Sequence, residues 1–317
     1  MRRRTFVGGA FAGLAAGVKA RPAPAGDIPK RVFGKTGEKL TLIGVAAGRF
    51  GDCADFDTAK RIVRRGYDLG INYFDNARVY WGGRSEEVFG AVVPEFRKEV
   101  FVTSKTQRRT RQEAEAELHE SLRLMKTDYL DLWQIHSVAT IDDVDRVFAP
   151  GGAMEAMEAA KKAGKTRFIG FTGHVDPAVH FEMLKRYKDF DTIFMPLHAA
   201  EPHYLSFEKL VFPEAVKQNL GIQAMKTTGV GKLLDKFRLE ECLRYALSLP
   251  AHCAAMGATT VEQIEADAEV ARRFRQLDET EMAGLRARAK SVAGPELENW
   301  KRKPEQAGSR IPAYVGG

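Results

Sequence analysis

The chain has 317 residues, of which 44% are hydrophobic and 29% are charged, with 29 glycines and 13 prolines. This balance is typical of a globular protein and excludes a disordered, collagen-like or multi-span membrane protein. Its three cysteines, Cys53, Cys242 and Cys253, lack the spacing of a disulfide scaffold, a zinc site or an iron–sulfur cluster. The length allows two ordinary domains or one large α/β barrel.

The formal charge of +7 at pH 7 comes mostly from the N-terminus. Five cations precede the first acidic residue, Asp27, and they are Arg2, Arg3, Arg4, Lys19 and Arg21. Without these five charges the net charge is only +2. This small remaining net charge argues against nucleic acid or another polyanion as a partner.

Residues 1–25 have the layout of a signal peptide, in which basic residues precede an apolar stretch (5–18) and small-residue sites at Ala20 and Ala25. The stretch is shorter than the ~20 residues that a bilayer span needs, so we expect no stable membrane span. Arg3-Arg4-Thr5-Phe6-Val7 resembles the twin-arginine signal. We therefore expect the twin-arginine export machinery as a partner and a periplasmic or exported location. An uncleaved tail without function is the alternative.

The rest of the chain alternates apolar runs with stretches of helical periodicity. The predicted strands are 40–46, 71–74, 99–104, 129–135, 166–171, 191–195, 221–225 and 252–256. The predicted helices are 57–69, 84–91, 110–125, 152–163, 177–188, 208–219, 238–248 and 260–274. Eight successive units predict a single-domain (β/α)8 barrel over residues 28–292, because parallel strands need helical crossovers. A doubly wound open sheet is the alternative.

Two further segments complete the predicted organisation. A helical segment at 278–291 and a polar C-terminal tail, residues 293–317, follow the last unit, and we expect them to pack against the barrel or close one end. The loop over 137–150 looks short, which favours an open pocket.

Polar side chains follow three successive strands of the predicted barrel. Asp75 follows the second strand, with Tyr80 five residues later, Lys105 follows the third and His136 the fourth. Because functional groups of such barrels lie at the C-terminal ends of the strands, we predict that these four share one rim. Each alone has an ordinary structural explanation, such as a helix cap, loop packing, a surface charge or a core histidine. Their combination predicts a site.

The four residue types suit proton transfer to a carbonyl. A phenol with its ordinary pKa near ~10 is a poor proton donor at neutral pH. We expect Lys105 to lower that pKa, Asp75 to keep Lys105 charged, and His136 to donate a hydrogen bond to a substrate oxygen. The carbonyl carbon also needs a nucleophile, and no serine, cysteine or metal is available. Hydride from a bound cofactor is the natural candidate.

These residues lie in segments that resemble the aldo-keto reductases. The matching segments are GINYFDNARVYWGGRSEEVFG (70–90), FVTSK (101–105), SLRLMKTDYLDLWQIH (121–136) and FIGFTGH (168–174). The resemblance implies a (β/α)8 barrel that binds an extended nicotinamide cofactor without a Rossmann fold and reduces an aldehyde or ketone, or oxidises an alcohol or sugar. It implies Tyr80 as the general acid, tuned by Lys105 and Asp75, with His136 orienting the carbonyl.

The resemblance also implies a cofactor groove over the later strand ends, where this chain departs from the family pattern. Thr172-Gly173 replaces a Ser-Asn pair, and Phe194 replaces a glutamine. Met225 stands where an aromatic residue often stacks on the nicotinamide, and Lys226 can face the pyrophosphate. The other implied cofactor positions are Arg49, Gly229, Gly257, Thr259, Gln263 and Asp267. The implied substrate-pocket residues are Trp81 and His198.

The coenzyme itself stays open. Gly257 and Gln263 stand where many family members place a lysine and an arginine around a 2′-phosphate. NADP is the first choice by family habit, and NAD is the alternative. We predict no metal site, because Pro202 interrupts the spacing of the candidate ligands His198, Glu201 and His203.

Two other hypotheses assign the protein a function without significant turnover. One is a nicotinamide-binding regulatory or sensor barrel, as in family members that attach to ion channels, and the other is a quiescent assembly partner. The departures from the family pattern at Gly173 and Phe194 are the feature that favours the sensor hypothesis. Turnover of a carbonyl substrate distinguishes the three.

Overall fold

The structure is a computed structural model and describes residues 26–301. Its strands are β1 (Lys30–Val32), β2 (Lys39–Thr41), β3 (Ile43–Ala46), β4 (Tyr73–Asp75), β5 (Phe101–Thr106), β6 (Leu130–Ile135), β7 (Thr166–Thr172), β8 (Thr192–Pro196), β9 (Gly221–Met225) and β10 (Cys253–Met256). Its α-helices are α1 (Phe56–Asp68), α2 (Arg84–Val92), α3 (Arg111–Met125), α4 (Ile141–Phe148), α5 (Ala153–Lys162), α6 (Pro177–Arg186), α7 (Phe207–Leu210), α8 (Phe212–Lys217), α9 (Leu239–Ser248), α10 (Val261–Arg272) and α11 (Glu279–Ala289). None of the helices in this part of the chain is long and apolar enough to cross a membrane. The predicted signal peptide lies outside the described residues.

Strands β3 to β10 form a closed barrel in chain order, with β10 paired to β3. All eight neighbouring pairs are parallel. Every residue of β4, β5 and β6 is buried, as expected for strands covered by helices outside and by packed side chains inside. The prediction of a single-domain (β/α)8 barrel is confirmed.

A hairpin covers the N-terminal end of the barrel. Strands β1 and β2 pair antiparallel, and the fully buried Phe33 between them packs edge-on against Phe101, with ring centroids 5.8 Å apart. Gly221 admits this ring, because a Cβ there would lie 2.7 Å from Phe33. The predicted strand 40–46 is therefore two strands, separated at Leu42, of which only β3 belongs to the barrel.

One predicted loop and one predicted helix differ from the structure. Residues 137–150, expected as a short loop, contain α4, which begins with a capping box between Thr140 and Asp143. The predicted helix 208–219 is divided into α7 and α8. Pro213 lies in the first turn of α8, where its missing N–H leaves no bond unmade but prevents one continuous helix.

Gly90 marks a close contact between two outer helices. A Cβ at this position of α2 would lie 1.9 Å from the carbonyl oxygen of Leu124, in the last turn of α3. We expect Gly90→Ala to lower the free energy of unfolding by about 2 kcal/mol, because the helices must move apart. Chemical denaturation measures this change.

Gly284→Ala in α11 is the matched control for that substitution. No atom lies within 4 Å of a Cβ there, so the variant should gain about 0.5–1 kcal/mol from the better helix propensity of alanine. Equal changes in the two variants would contradict the packing argument.

Candidate active site

Four predicted residues meet at the C-terminal end of the barrel. Asp75 ends β4, Lys105 is the penultimate residue of β5, and His136 directly follows β6. Tyr80 begins a 3-10 turn, Tyr80–Gly83, between β4 and α2. The Lys105 ammonium contacts both Asp75 and the Tyr80 phenol, and the Tyr80 ring packs edge-on against His136 at 5.5 Å. The structure thus brings all four together.

Lys105 connects the carboxylate to the phenol, and its side chain has no exposed surface. Its Nζ lies 2.7 and 2.8 Å from the two carboxylate oxygens of Asp75, 2.7 Å from the main-chain oxygen of Asn76 and 3.4 Å from Tyr80 Oη. Burial lowers the pKa of Lys105, while the Asp75 carboxylate opposes that shift. A change at Asp75 therefore reaches Tyr80 through Lys105.

The phenol of Tyr80 stays protonated at neutral pH. Burial, together with the negative charge of Asp75, raises its pKa well above the ordinary value. The expected lowering of the phenol pKa is not met, because burial and the Asp75 charge outweigh the effect of the Lys105 ammonium, which lies closer to Asp75 than to the phenol. A protonated phenol is nevertheless the form that a proton donor needs.

His136 presents a neutral imidazole. Burial lowers its pKa well below the ordinary value, and the charge of Lys105 adds to that effect. Its Nδ1 has no hydrogen-bond partner among residues 26–301, while its main-chain oxygen accepts a hydrogen bond from Arg109 Nη2 at 3.0 Å. A neutral ring carries one N–H, so it can donate to a carbonyl oxygen without bringing a charge.

The turn that carries Tyr80 depends on residues that the sequence reasoning missed. Asn76 is fully buried. Its Oδ1 accepts from Ser85 Oγ at 2.7 Å, and its Nδ2 donates to the Ser85 main-chain oxygen at 3.0 Å. The asparagine directly after Asp75 is the feature of the sequence that could have indicated this role. Trp81 has a positive φ of 51° and is partly exposed. The guanidinium carbon of Arg84 lies 4.3 Å from the centre of its ring.

On β7 and β8, the structure gives a local cause for one departure from the family pattern, that at Gly173. Thr172 ends β7 and is buried. A Cβ on Gly173 would lie 2.5 Å from His180 Cε1, so an asparagine has no room there. Phe194 in β8 is also buried, and Lys105 Nζ lies 5.5 Å from the centre of its ring.

Lys226 and Arg49 form a cationic pair at the rim. Lys226 follows Met225, the last residue of β9, and burial together with the charge of Arg49 lowers its pKa. Arg49 extends across Gly257, where a Cβ would lie 2.8 Å from its Cγ, and its Nε donates to Asp52. Within residues 26–301, Lys226 has no carboxylate partner. A partly buried cation beside a second cation suits a phosphate ligand.

The remaining predicted cofactor positions lie in two neighbouring loops and in α10. Gly229 has φ of 58° in the loop after β9. Gln263 Oε1 accepts from Thr259 N at 2.7 Å, so this amide oxygen is used within the chain. Thr260 caps α10 by accepting from Gln263 N. Asp267 is buried, which raises its pKa to about 7.

The chain after α11 returns to the mouth of the barrel. Residues 294–301, the C-terminal strap, carry Glu298 and Lys301, whose side chains are fully buried. Lys301 Nζ lies 2.6 Å from Glu298 Oε1 and 2.9 Å from Glu201 Oε1, and it donates to the Tyr204 main-chain oxygen at 2.6 Å. Glu201 also accepts from Phe207 N at 2.6 Å. One buried cation between two carboxylates therefore anchors the strap.

The strap brings Trp300 against the predicted cofactor groove. Lys226 Nζ lies 4.9 Å from the centroid of its indole. His198, expected to line an open substrate pocket, is instead fully buried, with Nε2 3.3 Å from Glu298 Oε1 and its ring 6.1 Å from Trp300. The strap covers His198, which a polar tail in the sequence did not reveal.

The closed parallel barrel thus brings an aspartate, a lysine, a tyrosine and a histidine together at its rim. The sequence model of the Aldo/keto reductase family matches residues 43–241. The chain belongs to this family, and the prediction of an aldo-keto reductase, an oxidoreductase, is confirmed.

Individual relatives agree with this assignment. The chain is 26% identical over 306 residues to the oxidoreductase YqkF of Bacillus subtilis, covering 82% of this chain and 96% of the relative. The fold is similar to an aldo-keto reductase from Bacillus halodurans in its holo form, with a TM-score of 0.69, 23% identity, and 84% and 97% of the two chains covered. It is also similar to an aldo-keto reductase from Klebsiella pneumoniae in complex with NADPH, with a TM-score of 0.68 and 22% identity. That likeness covers 83% of this chain and 95% of the other. These structural likenesses show the fold.

Lys301 is the residue through which the strap can be tested. We expect Lys301→Met to lower the free energy of unfolding by about 3 kcal/mol, because it leaves two buried carboxylates without their cation. Thermal and chemical denaturation measure this loss. Lys290→Met changes an exposed lysine in the same region and should stay within about 0.5 kcal/mol of the unchanged protein. Equal stability of the two variants would show that Lys301 does not anchor the C-terminal strap.

Proposed function

We propose that the protein reduces an aldehyde or ketone to the alcohol, and oxidises the alcohol or sugar in reverse, with Tyr80 as the proton donor and a nicotinamide as the hydride carrier. The observation that supports this most directly is that one ammonium, Lys105, contacts both Asp75 and Tyr80. NADPH is the first coenzyme to test, because the Klebsiella pneumoniae protein binds it. NADH is the second.

The residues of this chain divide the work of proton transfer. Tyr80 Oη and a ring N–H of His136 donate to the substrate carbonyl oxygen and so polarise the carbon. A bound reduced nicotinamide supplies hydride to that carbon. Tyr80 passes its proton to the oxygen as charge develops there. Lys105, held charged by Asp75, stabilises the phenolate that remains on Tyr80.

The residues present fit a dinucleotide along the later strands. Lys226 is a partly buried cation without a carboxylate partner in the described chain, and Arg49 lies beside it. These two would hold the phosphates, with the loop around Gly229 alongside. Thr172 offers a hydroxyl to the carboxamide of the nicotinamide. Trp300 on the strap covers the same region.

Regulation or assembly without turnover is the less favoured function. Such a barrel has no need of a complete proton-donor group, yet here the fully buried Lys105 joins Asp75 to Tyr80, and His136 stands against the phenol. Cofactor binding without turnover over a broad range of carbonyl compounds would support the sensor instead.

We infer that residues 1–25 export the protein as a folded domain. The support is the twin-arginine pattern at Arg3-Arg4 followed by an apolar stretch. Export after folding allows the cofactor to be loaded in the cytoplasm. A strap anchored by buried Lys301 would slow release of that cofactor in the periplasm, where it is not regenerated by cytoplasmic metabolism.

The proposed acid is tested by Tyr80→Phe. We expect kcat for reduction of an activated aromatic aldehyde to fall by roughly 100- to 10,000-fold, because the proton donor is removed. Cofactor affinity, measured by fluorescence quenching, should stay unchanged. The assay with NADPH and NADH side by side also determines the coenzyme preference.

Tyr129→Phe is the matched control for loss of a tyrosine hydroxyl. Tyr129 lies just before β6, at the opposite end of the barrel, where its ring contacts Arg97. Its substitution should leave kcat within about twofold of the unchanged enzyme, as expected of a site outside the catalytic machinery. A Tyr80→Phe enzyme as active as Tyr129→Phe would refute the proposed mechanism.

The export proposal is tested by changing Arg3 and Arg4 together to lysine. In a bacterium with a twin-arginine system, we expect the unchanged chain in the periplasmic fraction, shortened near residue 25, and the twin-lysine variant at full length in the cytoplasm. Fractionation followed by mass spectrometry measures both. The same distribution for both chains would argue against this route.

A further inference from the structure

A series of polar side chains crosses the interior of the barrel beneath the site. Gln134 on β6, Gln223 on β9 and Tyr73 on β4 are all fully buried. Gln134 Nε2 donates to Gln223 Oε1 at 3.0 Å, Gln223 Nε2 donates to Tyr73 Oη, and Tyr73 Oη lies 3.3 Å from Asp75 Oδ1. Branched aliphatic residues usually fill such interiors. The polar series therefore needs a physical reason.

The direction of the series is fixed by Asp75. An ionised carboxylate can only accept, so Tyr73 donates to it and Gln223 must direct its N–H at the tyrosine oxygen. Burial and the Asp75 charge raise the pKa of Tyr73 well above its ordinary value, which keeps this donor protonated. Thr103 Oγ1 adds a second donor to Asp75 Oδ1 at 2.9 Å. Every dipole thus has its positive end toward the carboxylate.

The barrel wall makes room for Tyr73. A Cβ on Gly44, in the neighbouring strand β3, would lie 2.1 Å from Tyr73 Cδ1. The ring therefore occupies space that any larger residue at position 44 would take. Gly44 therefore admits the aromatic ring that carries this hydroxyl into the interior of the barrel.

We propose that Tyr73, Gln223 and Thr103 are positioning residues that stabilise the charge of Asp75 and thereby set the proton affinity of Tyr80. None of them touches substrate in the proposed mechanism, because they lie on the side of Asp75 away from the barrel mouth. The kinetic part of this proposal rests on the proposed function.

The effect reaches Tyr80 through the ion pair. Hydrogen bonds to a buried charged group are stronger than bonds between neutral groups. Without one donor, the pair shifts toward its neutral form, in which a proton has moved from Lys105 to Asp75. An uncharged Lys105 does not stabilise the phenolate of Tyr80. Alcohol oxidation, which uses that phenolate as a base, then requires a higher pH.

The experiment compares Tyr73→Phe and Thr103→Val with the unchanged enzyme. We expect the pH profile of kcat for alcohol oxidation to move upward by about 0.5–1 unit in each variant, as loss of one charge-assisted hydrogen bond implies. The double variant should shift further. KM for the carbonyl substrate should change by less than about twofold, since neither residue contacts substrate.

Thr192→Val provides the matched control. Thr192 on β8 is a fully buried threonine of the same barrel, and its Oγ1 has no partner among residues 26–301. Its substitution should leave the pH profile unchanged whatever it does to the melting temperature. Wild-type profiles in both Tyr73→Phe and Thr103→Val would overturn the proposal. If Tyr73→Phe does not fold, the Thr103→Val profile decides alone.

A readout without turnover separates this proposal from the proposed function. If the unchanged protein turns over neither carbonyl nor alcohol, the proposed function fails, and acid unfolding still tests the polar series. Tyr73→Phe and Thr103→Val should then unfold at a pH about 0.3–0.5 unit higher than Thr192→Val, because each variant lacks one hydrogen bond that favours the charged form of the buried ion pair. Equal acid midpoints for the three variants would overturn the proposal.

Discussion

The buried ion pair between Asp75 and Lys105 is the constraint around which the rest of the structure is arranged. Both side chains are almost without exposed surface, and removing two ions from water costs several kcal/mol each unless partners replace the solvent. The ammonium has Asp75, the Asn76 carbonyl and Tyr80 around it. The carboxylate has donors from Thr103 and Tyr73 in addition. The group that supports the proposed proton transfer is thus also a condition of stability.

The parallel barrel supplies this arrangement through its register. Side chains two residues apart on a strand point to the same face, so Tyr73 lies beneath Asp75 and Thr103 beneath Lys105. Pairing places Asp75 opposite Thr103 and Lys105 opposite Gln134. The register of the strands therefore determines which polar side chains can meet.

The same geometry explains what the sequence could predict. Strand and helix positions follow from local periodicity, and the rim residues follow because successive strand ends are neighbours. Contacts that depend on closure of the barrel or on distant segments have no local signal. Tyr73 meets Gln223 across 150 positions, and Lys301 meets Glu201 across 100. The raised pKa of Tyr80 also escaped prediction, because its direction depends on burial, which residue types do not disclose.

The unusual cofactor groove also has a physical logic. Where the family pattern is lost, a neighbour occupies the space: His180 lies against Gly173, and Arg49 crosses Gly257. Lys226 remains a partly buried cation beside Arg49, and this arrangement lowers its pKa. Partial burial and the like charge of Arg49, which itself pairs with Asp52, disfavour the charged form of Lys226, and no carboxylate among the described residues pairs with Lys226. An anionic ligand would offset that cost, which supports the proposed binding of a phosphate-bearing cofactor beside Lys226.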